Sequence, residues 1–348
     1  MKLSYAPYFL EFKHPFGLSH GTRTKTDVVY VKLEKDDKIG YGEAALPPYL
    51  GETQTSVTAF FKKAAPVLEN TNLPLAEIIQ TIDKISYGNT AAKAALDIAL
   101  YDLSGKIQNK PVYELLGLEK PAPKETSVTI AIGDLSLIPG KLKELSDFKL
   151  LKIKLGNAND KEIISCIRKH TDKPLVADIN QGWTDKYFAL DMIHWLAEQN
   201  VLFTEQPLPK ENYKDMSWLT EKSPLPILAD ESFQRLDDLE KISECFSGIN
   251  LKLMKCAGLY EGVKIISAAK KKKLKINIGC MSESSCGIAA AAQLMHYADW
   301  VDLDGPMLIK NNAFSGINFI DGKLELNNSP GTGALLQNSG ISFQLCQG

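Results

Sequence analysis

From residue 126 onward the chain repeats one pattern, a short apolar strand-like run followed by a helix-like stretch. The runs are "SVTIAI" (127–132), "LKIKLG" (151–156), "LVADIN" (175–180), "LFTEQP" (202–207), "ILADES" (227–232), "INLKLM" (249–254), "KINIGC" (275–280) and "WVDLDG" (300–305), spaced by 22 to 27 residues. Repeated βα units of this size predict a parallel sheet, and eight of them close into a barrel. The first 120 residues read differently. Alternating segments "LSYAPYFLEF", "DVVYVKLEK" and "KIGYGEA", the last two joined at Asp36-Asp37, predict an antiparallel meander. Helical patterns follow, clearest in "NTAAKAALDIALYDLSGKIQNK", with Ala92, Ala95, Leu96, Ala99, Leu103 and Ile107 on one face and Pro111 closing the segment. The expected organisation is an α+β capping domain over 1–120, a barrel over 121–305, and a tail over 306–348 that returns to the cap.

Side-chain parity says what the barrel holds. Successive strand residues face opposite sides, and helices cover the outside, so the outward face is apolar. Leu151, Ile153 and Leu155 satisfy that rule, which turns Lys152 and Lys154 inward. The same parity puts Asp178 and Asn180, Glu205, Asp230, Lys252, and the pair Asp302 and Asp304 inside. Charges at the carboxyl ends of barrel strands lie where active sites of this architecture are built.

Composition narrows the classes. The chain has 348 residues, a formal net charge of −2 and 24% charged residues, which gives no electrostatic footprint for nucleic acid or an anionic membrane. The run Lys270 to Lys273 follows an apolar-periodic stretch and reads as a helix C-terminus with solvated lysines. No apolar stretch approaches a membrane span, and the N-terminal segment alternates like a strand instead of resembling a signal peptide. Six cysteines without a CxxC pair suggest free thiols and a cytoplasmic location. No GxGxxG after a strand, P-loop or GxSxG elbow is present.

Asp178, Glu205 and Asp230 come from three consecutive strand ends and can converge. Three carboxylates without a nearby histidine describe a hard-cation site, so Mg²⁺ or Mn²⁺ is expected over Zn²⁺. The five histidines (His14, His20, His170, His194, His296) lie away from these strand ends. Lys154 on the second strand and Lys252 on the sixth are half the barrel circumference apart, with the metal site between them. Two bases on opposite faces of one carbon can remove a proton from one side and return it to the other. A carboxylate on the metal would have its α-proton acidified through an enediolate. Lys152 is expected to tune Lys154 and to reach the substrate carboxylate.

These residues resemble the enolase superfamily, specifically its muconate-lactonising subgroup. The matching motifs are "KIK" (152–154), "DIN" (178–180), "EQP" (205–207), "ADES" (229–232) and "NLKLMK" (250–255), with the helix "AAKAALDIALYDLSGK…PVYELLG" (91–117) at the domain junction. The resemblance covers nearly the whole chain. It implies an α/β fold, a (β/α)₇β TIM-like barrel with an α+β cap, Mg²⁺ on Asp178, Glu205 and Asp230, and Lys154 with Lys252 as the acid/base pair. Within the subgroup, the Asp302-x-Asp304 pair resembles that of dipeptide epimerases, which hold the substrate's α-ammonium there. The expected partner is therefore a small dipeptide, with homo-oligomerisation left open.

Further substrate contacts are expected from Ser127 and Thr129 on the first strand, and from Cys280, Met281 and Ser282 after the seventh. In the cap loops 14–27 and 44–53, Arg23 is the candidate partner for an acidic side chain, while Phe16, Leu18, Tyr49 and Leu50 could line an apolar pocket. Three readings compete: a dipeptide epimerase, a muconate cycloisomerase or o-succinylbenzoate synthase on the same scaffold, and a non-catalytic Mg²⁺-dependent binding protein. Two opposed lysines argue against the third, and Asp302 with Asp304 weakens the second.

Overall fold

The computed structural model describes residues 1–18, 21–69 and 72–347, the side chain of Leu18 excepted, so the expectations for Leu18 and His20 lie outside the described residues. The eight expected barrel strands are Ser127–Ile130, Leu150–Lys154, Leu175–Asp178, Val201–Glu205, Ile227–Ala229, Gly248–Leu251, Lys275–Gly279 and Trp300–Asp302. They form one parallel sheet in strict sequence order. The strands end earlier than the apolar runs suggest, because the backbone turns at their carboxyl ends. Asn180, Gln181 and Gln206 have φ of 46°, 66° and 40°, and the Asn180 amide donates to Asp178 Oδ1 at 3.1 Å.

Parity holds around the barrel. Leu151, Ile153, Ala177 and Ile179 are fully buried under the outer helices. Inside, Leu150, Val176, Phe203 and Leu228 form a separate apolar cluster, with Trp300 packed against Phe203 in a tilted pair at 4.5 Å between ring centroids. The charged layer rests on this floor.

No backbone ladder joins the first and last strands among the described residues. They meet through side chains. The Leu303 amide donates to Thr126 Oγ1 at 2.9 Å, Ser127 Oγ to Asp302 Oδ1 at 2.6 Å, and the Thr129 amide to Asp304 Oδ2 at 2.7 Å. "DLDG" therefore helps close the barrel as well as facing its cavity.

In the cap, Lys2–Leu18, Gly21–Lys35 and Lys38–Ala45 make an antiparallel meander, with Gln344–Leu345 from the tail added outside the first strand. Asp36 and Asp37 have φ of 51° and 59°, the paired left-handed conformation of a two-residue hairpin whose twist suits the strands. The helix Thr90–Gln108 packs so closely on this sheet that a Cβ at Gly42 would collide with the Ala95 carbonyl. Most of the helix is buried all round, because the barrel covers its other side. Ile107, expected on the buried face, is instead exposed near the helix end.

Buried carboxylates tie cap to barrel at helix N-termini, where backbone N–H groups lack partners within the helix. Glu43 accepts from the Ser284 amide at 2.9 Å, the Ser284 hydroxyl at 2.6 Å and the Gly287 amide at 3.0 Å, at the start of Ser285–Ala292. Asp97 accepts from the Leu259 and Tyr260 amides at 2.5 and 3.2 Å, at the start of Leu259–Lys271. Beside Glu43 sits Glu283, 1% exposed, whose Oε1 accepts the Met281 amide at 2.7 Å and whose Oε2 has no partner among the described residues. Burial, then the proximity of Glu43, pushes the Glu283 carboxyl up to about 8.

A carboxyl raised on folding contributes stability that is full below its unfolded value and fades as pH rises toward the folded value. Glu283→Gln should therefore become progressively more stable than the parent protein as pH rises from about 5 to 8, read as the difference in Tm. A Tm difference that does not change with pH would contradict this.

Candidate active site

The inward residues of strands two to six meet at the carboxyl end of the barrel. Asp178 and Glu205 are the last residues of their strands and Asp230 follows its own by one. All three are buried, and one oxygen from each lies within 4.8 Å of the others. Each carboxylate has one oxygen held from outside. Asp178 Oδ1 accepts the Asn180 amide, Glu205 Oε1 accepts Asn250 Nδ2 at 2.8 Å, and Asp230 Oδ1 accepts Lys255 Nζ at 2.6 Å.

The other oxygens face lysines. Lys154 Nζ lies 2.6 Å from Asp178 Oδ2, and Lys252 Nζ lies 2.6 Å from Asp230 Oδ2. Lys152 Nζ reaches Asp178 Oδ2 at 3.0 Å, Glu205 Oε2 at 3.0 Å and Asp302 Oδ2 at 2.8 Å.

Burial and partners oppose each other across this cluster. Burial would raise Asp178, but Lys152 and Lys154 outweigh it and hold the carboxyl at about 2. Asp230 is likewise held well below the usual carboxylate range, with Lys252 and Lys255 overcoming burial. Glu205 goes the other way, to about 8, because burial and the Asp178 charge exceed what Lys152 returns. Burial alone would lower Lys152 and Lys252, yet the surrounding acids hold both well above the ordinary lysine value.

A cavity of about 350 Å³ opens above the cluster. Lys152, Lys154, Asp230 and Lys252 line its floor, and Thr129, Asp302, Asp304, Cys280, Met281 and Ser282 its far wall. Phe16, Arg23 and Tyr49 reach it from the cap. The cap strand is fixed there by antiparallel bridges from Phe12 to Ile309 and from Gly17 to Ile132. Burial lowers the Arg23 guanidinium somewhat, and Arg23 makes no ion pair among the described residues. Two expectations need correction. Ser127, expected to donate to the substrate, is 2% exposed and spends its hydroxyl on Asp302. Leu50 does not line the cavity, whereas its neighbour Tyr49 does, with its hydroxyl on Met281 Sδ at 3.1 Å.

Asp302 and Asp304 are also not equivalent. Asp302 is taken up by Lys152 and Ser127. Asp304 accepts the Thr129 amide, with the Thr129 side chain beside it, and burial together with Asp302 raises it to about 6. Sequence reasoning left Asn250, Lys255 and Glu231 without roles. Lys255 is fully buried within the "NLKLMK" run, and its period-breaking position gave no parity signal. Glu231 lines the cavity beside Asp230, accepts Asn180 Nδ2 at 3.3 Å, and is raised to about 7 by burial and the Asp230 charge.

Comparison with known proteins places this geometry. Residues 8–117 match the mandelate racemase/muconate lactonizing enzyme N-terminal domain, and residues 141–339 match the enolase C-terminal domain-like family. An L-Ala-D/L-Glu epimerase of Bacteroides thetaiotaomicron is 45% identical over 96% of this chain and 88% of its own. The dipeptide epimerase of Cytophaga hutchinsonii, solved with Mg and D-Ala-L-Val, superposes with a TM-score of 0.93 at 27% identity, covering 100% of this chain and 99% of that one. A substrate-liganded L-Ala-D/L-Glu epimerase of Bacillus subtilis gives 0.91 at 27% identity, covering 96% and 98%. The chain belongs to the mandelate racemase/muconate lactonizing enzyme family of the enolase superfamily, as an isomerase of its dipeptide-epimerase branch. No helix among the described residues is long and apolar enough to cross a membrane.

The donor set fits the Mg²⁺ of this family. Three buried carboxylates within 4.8 Å of one another supply only hard oxygen donors, each already oriented by a second partner. Mg²⁺ at about 100 times its Kd should stabilise the fold by roughly 2.7 kcal/mol, seen as a rise in Tm. Asp230→Asn should abolish that rise, and exhaustive chelation should abolish turnover until Mg²⁺ is restored. Full activity after complete metal removal would contradict the assignment.

Proposed function

We propose that the protein epimerises the α-carbon of the C-terminal residue of a dipeptide of the Ala-Glu type. The observation that carries this reading is the opposition of Lys154 and Lys252, from the second and sixth strands, across one carboxylate cluster. Asp178, Glu205 and Asp230 would hold a divalent ion, which when bound would supply positive charge that lowers the cost of removing the α-proton of a carboxylate substrate. Lys154 as the free amine takes that proton from one face, the C–H electron pair passing into the carboxylate. Lys252 as the ammonium returns a proton to the other face, forming the new C–H bond. Their roles exchange in the reverse direction.

The two ends of the substrate are read separately. Asp304, at the wall beside Thr129, receives the α-ammonium, with Asp302 adding its charge from behind. Arg23, facing the cavity without an acidic partner among the described residues, receives the side-chain carboxylate. The Bacteroides relative, named for L-Ala-D/L-Glu, supports that preference.

A charge-assisted hydrogen bond contributes roughly 1.5–3 kcal/mol, or about one to two orders of magnitude in kcat/KM. Arg23→Gln should lose that much on Ala-Glu and little on Ala-Gln. Equal losses on both would remove Arg23 as the side-chain partner.

Asp304→Asn should lower kcat/KM similarly for dipeptides with a free α-ammonium. N-acetylation of the substrate should mimic the substitution in the parent protein and add little to it in the variant. If N-acetyl dipeptides turn over as well as free ones, the dipeptide reading gives way to a cycloisomerase.

A further inference from the structure

Beneath the carboxylates, the barrel interior holds two asparagines whose polar atoms the catalytic cluster does not account for. Asn250 on the sixth strand and Asn277 on the seventh are register partners in the parallel sheet, both facing inward. Asn250 is 0% and Asn277 1% exposed. Asn250 Nδ2 donates to Glu205 Oε1 at 2.8 Å, but its Oδ1 has no partner among the described residues, and neither Oδ1 nor Nδ2 of Asn277 has one. Phe203 and Trp300 belong to the apolar cluster of the barrel interior, and Trp300 is the register partner of Asn277 on the eighth strand.

Buried polar groups in folded proteins are paired, with protein or with ordered water. One donor group and two acceptors side by side match what a water molecule pairs with, and buried waters make about three hydrogen bonds each. The strand also makes room. The seventh strand carries Gly279 two residues beyond Asn277, where a Cβ would collide with Asn250 Oδ1. Any larger residue there would push the Asn250 amide off its place.

We propose that Asn250 and Asn277 bind one internal water, and that through it they fix the Asn250 amide as a positioning group for Glu205. The water donates to Asn250 Oδ1 and accepts from Asn277 Nδ2. Asn250 is then defined from both ends, N–H toward the carboxylate and oxygen toward the water. An amide turned the other way would set its oxygen against the Glu205 carboxylate. Held by Asn250 on Oε1, Glu205 keeps Oε2 toward Lys152 and the metal position. Groups that orient metal ligands from behind commonly matter 10- to 100-fold in metal affinity.

This inference rests on the metal assignment, and its test separates the two. A high-resolution crystal structure of the unmodified protein should show a water within hydrogen-bond distance of Asn250 Oδ1 and Asn277 Nδ2. Mg²⁺ binding by calorimetry should weaken about 10- to 100-fold in Asn250→Ala and less, though measurably, in Asn277→Leu, with near-parent Tm in Asn277→Leu. Two amides bonded directly with no water between them would overturn the proposal. So would Mg²⁺ binding of parental strength in Asn250→Ala while Asp230→Asn abolishes it. If Asp230→Asn also binds Mg²⁺ like the parent, it is the metal assignment that fails.

Discussion

Everything at the mouth of the barrel follows from one constraint: a charge taken out of water must find an opposite charge at close range. Lys152, Lys154, Lys252 and Lys255 are buried with Asp178, Glu205, Asp230, Asp302 and Asp304. Neither set could be buried alone. Lys152 is the hub, reaching acids on the third, fourth and eighth strands from the second. The contacts that make the cluster tolerable also set its chemistry. The same carboxylates, Asp178 and Asp230, that would hold the metal also hold Lys154 and Lys252 in place. Chemistry and stability are thus drawn from one set of atoms.

The barrel itself depends on the same residues. Among the described residues its first and last strands are joined by Thr126, Ser127, Asp302 and Asp304 instead of a backbone ladder. A substrate ammonium at Asp304 would therefore bind at a seam of the barrel. The cap is fixed over this mouth by carboxylates at helix N-termini, Glu43 and Asp97, and by the Arg235 guanidinium, which joins Asp83 of the cap to Glu261. Glu43 and Glu283 sit directly behind the segment Cys280–Ser282 that walls the cavity. Cap docking and pocket shape are therefore one structural problem.

Much of this was legible in the sequence because strands obey a period of two. Parity alone turned Lys152, Lys154, Asp178, Glu205, Asp230 and Lys252 inward, and the structure brings them together. Parity could not say what each inward group touches. Ser127 and Asp302 both face inward as expected, yet they bond each other, since partners across the closing seam are separated by 175 residues. Lys255 was invisible for a different reason. It lies beyond the strand in the turn, where the backbone returns its ammonium to the Asp230 carbonyl and carboxylate. Ile107 shows the converse error. Helical periodicity placed it on the buried face, but the helix outruns its cover near Gln108.

The central claim is that Lys154 and Lys252 serve opposite faces of one carbon. The direct measurement is α-proton exchange in D₂O, followed by mass for each stereoisomer of an Ala-Glu dipeptide with Lys154→Ala and Lys252→Ala. Each variant should lose epimerisation, while one retains deuterium uptake into one stereoisomer and the other variant into the opposite stereoisomer. Equal loss of exchange from both stereoisomers in both variants would contradict the account.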